Sequence, residues 1–296
     1  MANLPDNTYD PANFWHRPER NFRTSGRLYI QHYLTQKTIG CLLDPRVEKS
    51  IDASKPLAVA DLGCGNGVWL IDLERDLSKK GISARLDGYD INVNNFPAAA
   101  FIPESITLKK LDILSQLPKE ILGTYDIVHI RAFQSIIVNQ DVTPLLSAVL
   151  ALLKPGGWIQ WEEPTAGKFL IDTPSPDVPK IMCETISHIL EAGGKARGLN
   201  FDFIHHVDRI LKEHGFGDVH METNDQRRED MKGWTDNYLT VWEDLHELFP
   251  LKADNPQAPM TREMWADMFA KAVSETEHGV VIHHGQIMLA VGRKAL

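Results

Sequence analysis

The sequence is poor in the features that mark several classes of protein. It has only three cysteines, Cys41, Cys64 and Cys183, and no two of them have C-x-x-C spacing. This excludes a cysteine-based zinc knuckle and a disulfide framework, and it suits a reducing compartment. Basic residues are not in excess, because 40 acidic residues against 31 lysines and arginines give a formal charge of −9. Such a balance argues against a nucleic-acid partner, which requires a basic surface.

Long apolar runs are also missing. The longest run, near residues 145–153, is far shorter than the roughly 20 residues that a membrane-spanning helix needs. The N-terminal part has no apolar segment of the kind found in secretory signals. No paired-aspartate signature for a catalytic metal ion stands out, so no metal site is predicted. The sequence therefore predicts a soluble, cytoplasmic protein with no membrane partner.

A glycine-rich stretch within residues 57–72 is the feature around which the chain is organised. A short apolar run leads through Asp61 into alternating glycines and then into an amphipathic segment. This pattern predicts a strand, a tight turn and a helix start, which bring backbone N–H groups against a ligand. A dinucleotide fingerprint would require glycine where Val68 stands, and a phosphate-binding loop would require Lys-Ser/Thr after the last glycine. The turn therefore holds a ligand without phosphate or no ligand at all. The alternating glycines are Gly63, Gly65 and Gly67.

Strands and helices alternate from residue 57 onwards, which predicts a parallel sheet. Three successive strands end at Asp61, Asp90 and Asp112. The carboxyl ends of parallel strands form the edge at which open α/β sheets bind ligands, and Asp90 has the spacing of a ribose-binding carboxylate. The predicted strands are 57–61, 85–90, 106–112, 125–131, 158–163, 217–221 and 285–291, and the predicted core helices are 68–79 and 144–153.

Several segments resemble one enzyme family. Asp-Leu-Gly-Cys-Gly-Asn-Gly at 61–67 resembles motif I of class I S-adenosylmethionine (SAM) methyltransferases. The segments at 25–32, 88–91, 125–131 and 152–163 resemble fungal secondary-metabolism methyltransferases, both N-methyltransferases of the gliotoxin pathway and a set of polyketide O-methyltransferases. The resemblance covers residues 20–165 and beyond them extends only to the general architecture.

The resemblance implies a Rossmann-like α/β fold, with a mostly parallel sheet of seven strands whose last strand is antiparallel. An N-terminal helical arm at 1–50, a SAM-binding core at 51–165 and the remainder at 166–296 form one overall domain. Helical insertions at 164–200 and 225–280 are expected to cover the substrate pocket.

Two helical regions have both a plain and a functional interpretation. A helix at 26–39, capped by Thr24 or Ser25, is either an ordinary amphipathic helix or a lid that holds Arg27 near the cofactor carboxylate. A second helix at 179–192 is expected to end at Gly193-Gly194. Further along, a stripe of aromatic side chains at every fourth position indicates a helix core, and it also suits a surface for a flat acceptor. The stripe consists of Trp234, Tyr238 and Trp242.

The implied cofactor is SAM, with S-adenosylhomocysteine as its product. In this family the residues after the third strand, here Asp112 and Ile113, border the adenine. Cys64 receives no redox role, because the turn simply needs a small side chain there. The predicted cofactor-binding residues are Arg27, Tyr29, Asp61, Gly63, Cys64, Gly65, Asp90, Ile91, Asp112, Ile113, Ile130 and Arg131.

Methyl transfer from a sulfonium depends mainly on positioning, and a phenol or protonated amine acceptor also needs a base. Glu162 and Glu163 end the fifth strand and point to opposite faces, so we expect one of them to reach the cleft unless both are merely a charged strand end. Arg131 is placed to face the cofactor or acceptor. His129 completes the catalytic candidates, although a histidine inside an apolar strand is more often a core residue. Two histidine pairs, 205–206 and 283–284, either line the roof or lie on the surface.

The predicted function is methylation of a small hydrophobic or aromatic metabolite. Oxygen is favoured slightly over nitrogen as acceptor, because no Asn-Pro-Pro-Tyr motif of amide methylation is present. One alternative is a pericyclase-like enzyme that uses the positive charge of SAM without transferring methyl. Another is a non-catalytic regulatory partner, which predicts an exposed apolar patch on the 225–280 insertion. The oligomeric state is open, with a homodimer as one option.

Overall fold

The computed structural model describes residues 22–296, so most of the predicted N-terminal arm lies outside the described residues. The helices are α1 (Phe22–Ile39), α2 (Pro45–Lys49), α3 (Val68–Lys79), α4 (Thr143–Leu152), α5 (Ile181–Ala196), α6 (Val207–Glu213), α7 (Met231–Asp244) and α8 (Arg262–Glu277). The strands are β1 (Leu57–Leu62), β2 (Ala84–Asp90), β3 (Ile106–Lys110), β4 (Tyr125–Arg131), β5 (Leu153–Pro164), β6 (Leu170–Asp172), β7 (Phe216–Asp225), β8 (Val281–His283) and β9 (Gln286–Lys294).

Within residues 22–296, seven strands form one sheet in the order β3-β2-β1-β4-β5-β9-β7. Strands β1 to β5 are parallel, and β9 runs antiparallel between β5 and β7. The predicted fold class is confirmed. The strand order reverses between β1 and β4, and this reversal opens the crevice in which such sheets bind ligands.

The centre of the sheet is buried on both faces, because β1 and β4 are almost continuous apolar runs flanked by helices. Helix α3 packs Trp69 and Leu73 against one face, and α4 packs Leu146 and Val149 against the other. Burial on both faces holds the strand ends in fixed relative positions.

A third apolar cluster forms where α1, α5, α7 and α8 meet beside β9. Trp234, Trp242 and Trp265 are almost completely buried in it. The core interpretation of the aromatic stripe on α7 therefore holds for both tryptophans. A small sheet of β6 and β8 also belongs here. It was not predicted, because strands of three residues are too short to show a period.

Three predicted boundaries are wrong. Helix α1 already contains Thr24 and Ser25, so neither caps it, and the Thr24 hydroxyl instead donates to Asp244 at 3.5 Å. Helix α5 continues through Gly193-Gly194 to Ala196, since glycine weakens a helix without having to end it. Strand β3 ends at Lys110, which leaves Asp112 in the following loop. Within 22–296, no helix combines the length and the apolar character needed to cross a membrane.

Candidate functional site

A cavity of about 1200 Å³ lies over the carboxyl ends of the central strands. The turn after β1 and the loops after β2 and β3 line one end of it, and α5 and α7 line the other. We call these the cofactor end and the acceptor end. The predicted residues that line the cavity are Arg27, Asp61, Gly63, Cys64, Gly65, Asp90, Ile91, Asp112, Ile113, His129 and Arg131.

The glycines of the turn after β1 have no room for side chains. Gly63 and Gly65 have φ angles of +64° and +60°. A Cβ on Gly63 would lie 2.7 Å from Cε2 of Phe133, and one on Gly65 would lie 2.8 Å from Cδ1 of Leu28. The left-handed conformation and the close approach of α1 thus both require glycine at position 65.

The backbone N–H groups of this turn bond within the protein. The N–H of Gly65 donates to Oδ2 of Asp90 at 2.9 Å, and that of Cys64 donates to the Tyr89 carbonyl at 3.0 Å. The N–H of Gly67 donates to the Cys64 carbonyl at 2.9 Å. The expectation that these groups face the ligand is therefore wrong. Turned away from the cavity, they suit a ligand without phosphate.

We predict that Gly65→Ala weakens binding of S-adenosylhomocysteine at least several-fold, because the new Cβ must push Leu28 and α1 away from the cavity. Gly81→Ala is the matched control, since Gly81 has a similar φ of +70° but nothing within 4 Å of an added Cβ. It should cost about 1 kcal/mol of stability and leave the affinity unchanged. Isothermal titration calorimetry of both variants checks this, and equal affinities would contradict it.

The cofactor end has the chemical groups that SAM requires. Carboxylates of Asp61, Asp90 and Asp112 line it as acceptors for hydroxyl and amino groups, and Arg27 offers a cation for a carboxylate. Asp90 also accepts from the N–H of Asn92 at 2.8 Å, so it organises the loop after β2 as well as the glycine turn. Burial raises the pKa of the Cys64 thiol, which therefore stays protonated. The residues present fit a nucleoside that carries an amino-acid tail.

Two predicted cofactor-binding residues do not line the cavity. Tyr29 lies on the outer side of α1 and is 48% exposed, whereas Ile130 is completely buried in the sheet core. Each stands next to a residue that does line it, and one step along a helix or strand turns the side chain to another face.

His129 is a buried cation beneath the cofactor end. Its Nδ1 lies 2.7 Å from Oδ1 of Asp61, its Nε2 lies 3.4 Å from Oε1 of Glu162, and its ring stacks on Trp69 at 3.7 Å. Burial alone would lower the pKa of His129, but the two carboxylates outweigh burial and raise it. A protonated His129 joins Asp61 of β1 to Glu162 of β5 and fixes the carboxylate at the cofactor end.

Arg131 extends this ionic chain towards α1. Its Nε donates to Oε2 of Glu162 at 2.7 Å, and its Nη1 donates to Nδ1 of His32 at 3.0 Å. Burial and the Arg131 charge lower the pKa of His32 to about 4, so the ring is neutral and its Nε2–H donates to Asp72 at 3.0 Å. A chain of polar contacts thus connects the sheet to α1. Its members, in order, are Asp61, His129, Glu162, Arg131, His32 and Asp72.

Neither glutamate lines the cavity, which corrects the expectation that one of them reaches the cleft. Burial opposes ionisation of Glu162, but Arg131 and His129 outweigh it and hold its pKa at about 2. Glu163 has no cation beside it, and burial raises its pKa to about 8. Its Oε1 accepts from Nε1 of Trp161 at 2.9 Å and from the backbone N–H of Phe133. Both carboxyl groups hold the protein interior together.

The buried Glu163 should impose a pH dependence on stability. The folded state binds its proton up to about pH 8, whereas the unfolded chain releases it near the ordinary pKa of 4.5. The folded state therefore binds more protons between these values, and this residue lowers stability as the pH rises through that window. We predict that Glu163→Gln removes this decrease and becomes more stable than the wild type towards pH 8. Urea unfolding of both proteins at pH 5, 6, 7 and 8 measures it, and parallel curves would contradict it.

The acceptor end contains a histidine that the sequence left undecided. His284 lies in the cavity wall, with Nδ1 2.7 Å from the Tyr238 hydroxyl and its ring 4.6 Å from that of Phe169. Its neighbour His283 bonds instead to Asp172, and the pair at 205–206 is exposed. No sequence pattern points to His284, because its partners come from separate segments that only the fold brings together.

The comparisons with known proteins agree with this geometry. A family model described as a methyltransferase domain matches residues 35–221, more than half of the chain. The methyltransferase grgD of a Penicillium species is 34% identical over 148 residues, covering 49% of this chain and 51% of the relative. The N-methyltransferase verN of Clonostachys rogersoniana is 26% identical over 200 residues, covering 67% and 64%. The chain thus spans less than two thirds of either relative.

A solved structure has the same fold. Phosphoethanolamine N-methyltransferase 2 of Haemonchus contortus, in complex with S-adenosyl-L-methionine, superposes with a TM-score of 0.50 at 14% identity. The superposition covers 99% of this chain and 62% of that one. The chain belongs to the methyltransferase domain family, and its resemblance to class I SAM methyltransferases of fungal secondary metabolism is confirmed.

Proposed function

We propose that this protein transfers the methyl group of SAM to a nitrogen or oxygen atom of a small, flat, hydrophobic metabolite. The observation that carries the proposal is the single cavity, which joins the cofactor end at the sheet to an aromatic acceptor end under the helical insertions. A cofactor and a small acceptor can meet there away from bulk water.

In this proposal, different residues bind different parts of SAM. Asp90 holds the ribose hydroxyls, and Asp112 with Ile113 borders the adenine. Asp61, held by His129, takes the amino group of the methionine part, and Arg27 takes its carboxylate. When bound, SAM supplies a methyl group made electrophilic by the sulfonium charge. The chain contributes alignment and exclusion of water, which supply most of the rate enhancement in such a displacement.

The more detailed part of the proposal concerns which atom, oxygen or nitrogen, accepts the methyl group. The sequence slightly favours oxygen, whereas verN is named an N-methyltransferase, which supports nitrogen. The alternatives are a pericyclase-like enzyme and a regulatory partner. The regulatory alternative has little support, because only two large apolar side chains, Leu251 and Met264, are exposed on the 225–280 insertion. The homodimer and the cytoplasmic location stay predictions of the sequence.

The test is a labelling experiment. The protein is incubated with SAM carrying an isotope-labelled methyl group and a metabolite extract of the producing organism, and mass spectrometry searches for labelled small molecules. An enzyme-dependent labelled product supports the proposal, and its fragmentation identifies the acceptor atom. Enzyme-dependent isomerisation of an unlabelled compound, with no labelled product, would favour the pericyclase-like alternative.

A further inference from the structure

The acceptor end has one histidine that is held rigidly beside aromatic side chains. His284 is held on two sides, by its ring contact with the Tyr238 hydroxyl at 2.7 Å and by its backbone N–H, which donates to Oε1 of Gln226 at 2.9 Å. Phe169 lies against the imidazole with an angle of 30° between the rings. His284 and Tyr238 are both buried and both line the cavity. The imidazole therefore cannot turn without breaking this packing.

The environment decides which ring nitrogen carries the proton. Burial raises the pKa of Tyr238, so its hydroxyl keeps a proton that needs an acceptor. Burial, with a smaller contribution from His283, lowers the pKa of His284 to about 3, so its ring is neutral and has one N–H. Nδ1 is the atom beside the hydroxyl, and when it accepts from Tyr238 the ring proton lies on Nε2.

The remaining nitrogen is available to a ligand. Among residues 22–296 no hydrogen bond to Nε2 of His284 is present, and the residue forms part of the cavity wall. A polar N–H beside aromatic rings loses free energy if it stays unpaired when water is displaced. An acceptor molecule that fills this end must therefore offer it a partner.

We propose that His284 donates its Nε2–H to an oxygen atom of the methyl acceptor, and that Tyr238 positions it by occupying Nδ1. The proposal rests on the function proposed above and narrows its substrate class. The acceptor carries a neutral or anionic oxygen, such as an amide carbonyl or a phenol oxygen, on a flat group that lies beside Phe169.

The Nε2–H of His284 also disfavours cationic acceptor groups, because a hydrogen-bond donor repels an ammonium or amidinium group placed against it. Two carboxylates that line this end already have partners. Glu191 pairs with Lys195 at 2.8 Å, and Asp244 accepts from the Thr24 hydroxyl at 3.5 Å. His284 is thus a specificity-determining residue that selects for oxygen and against positive charge.

Nitrogen-15 NMR of histidine-labelled wild-type protein tests the tautomer directly. The His284 signals are identified by their disappearance in His284→Gln. We expect a neutral ring with the proton on Nε2 at pH 7, and Tyr238→Phe should allow the other tautomer to appear. A proton on Nδ1 in the wild type, or a charged ring, would overturn the proposal.

Fragment binding tests the selectivity without knowledge of the natural acceptor. Benzamide and benzamidine have nearly the same shape but present an oxygen and a cationic nitrogen. In the presence of S-adenosylhomocysteine, we expect the wild type to bind benzamide more tightly than benzamidine. His284→Gln keeps a donor near the Nε2 position, whereas the shorter amide of His284→Asn does not reach it. His284→Asn should lose about fivefold in benzamide affinity, the value of one hydrogen bond, while His284→Gln stays close to the wild type.

Two outcomes separate this proposal from the function on which it rests. Equal binding of the two fragments, or equal losses in the Asn and Gln variants, would overturn the role of His284 even if labelled methyl transfer is observed. Preserved benzamide selectivity without any labelled product would instead overturn methyl transfer. S-adenosylhomocysteine affinity should be the same in all variants, because His284 lies at the acceptor end.

Discussion

Glu162→Gln should lower the free energy of unfolding at pH 5 by about 3 kcal/mol or more, the usual cost of breaking a buried ion pair from one side. Glu162 has no exposed surface, and its carboxylate accepts from Arg131 at 2.7 Å and from Gln160 at 2.8 Å. The substitution removes the charge between Arg131 and the protonated His129, so a partly buried and a fully buried cation lose their shared anion. Urea unfolding followed by circular dichroism measures the loss.

Glu163→Gln is the matched control, because it makes the same chemical change at the next residue, which is equally buried. At pH 5 Glu163 is protonated in the folded state, and a neutral amide replaces a neutral acid. We expect a change within about 1 kcal/mol, since the oxygen that accepts from Trp161 is kept. Equal losses in the two variants, or a negligible loss for Glu162→Gln, would contradict the assignment of charges.

Asp90→Ala should weaken binding of S-adenosylhomocysteine more than tenfold, which corresponds to about 1.4 kcal/mol. The substitution removes the carboxylate proposed to hold the ribose. It also removes the acceptor for the N–H groups of Gly65 and Asn92, which shape the loops on both sides of the cofactor end. Both effects weaken the binding of S-adenosylhomocysteine, and isothermal titration calorimetry measures the total loss of affinity.

Asp112→Ala is the comparison variant for this prediction. Asp112 also lines the cavity, but its side chain lies in an exposed loop and accepts from the N–H of Leu114 at 3.0 Å. A smaller loss of affinity is therefore expected than for Asp90→Ala. If Asp90→Ala bound S-adenosylhomocysteine as tightly as the wild type, Asp90 would not hold the ribose. If Asp112→Ala lost more affinity than Asp90→Ala, the proposed roles of the two aspartates would be reversed.

The parts of the fold that the sequence predicted well are those with a strong local signal. Helix 68–79 and strand 125–131 have the predicted bounds, because a long apolar period and a glycine turn identify them. The start of α1 was wrong because tertiary contacts such as that of Thr24 with Asp244 hold its first turn, and the end of α5 was wrong because glycine weakens a helix without having to end it. The short β6–β8 pair has too few residues for any pattern.

The same distinction between local sequence signals and long-range packing applies to the site. The sequence identified the cofactor end because glycines and aspartates at strand ends have few other reasons to recur there. It placed Glu162 and Glu163 wrongly, since alternation along a strand does not show which charged groups face a side chain such as Arg131. Pairs such as Tyr238 and His284 are far apart in sequence, and only packing of α7 against the segment that joins β8 to β9 makes them partners.

The two ends of the cavity are encoded by stretches of the chain that barely overlap. The cofactor end comes mainly from residues 61–114, whereas the insertions at 164–202 and 238–248 with His284 form the acceptor wall. Under the proposed function, mutations in the insertions would change the acceptor and leave the binding of SAM as it was. New acceptor specificities could then evolve stepwise, because no intermediate would have to rebuild the cofactor end.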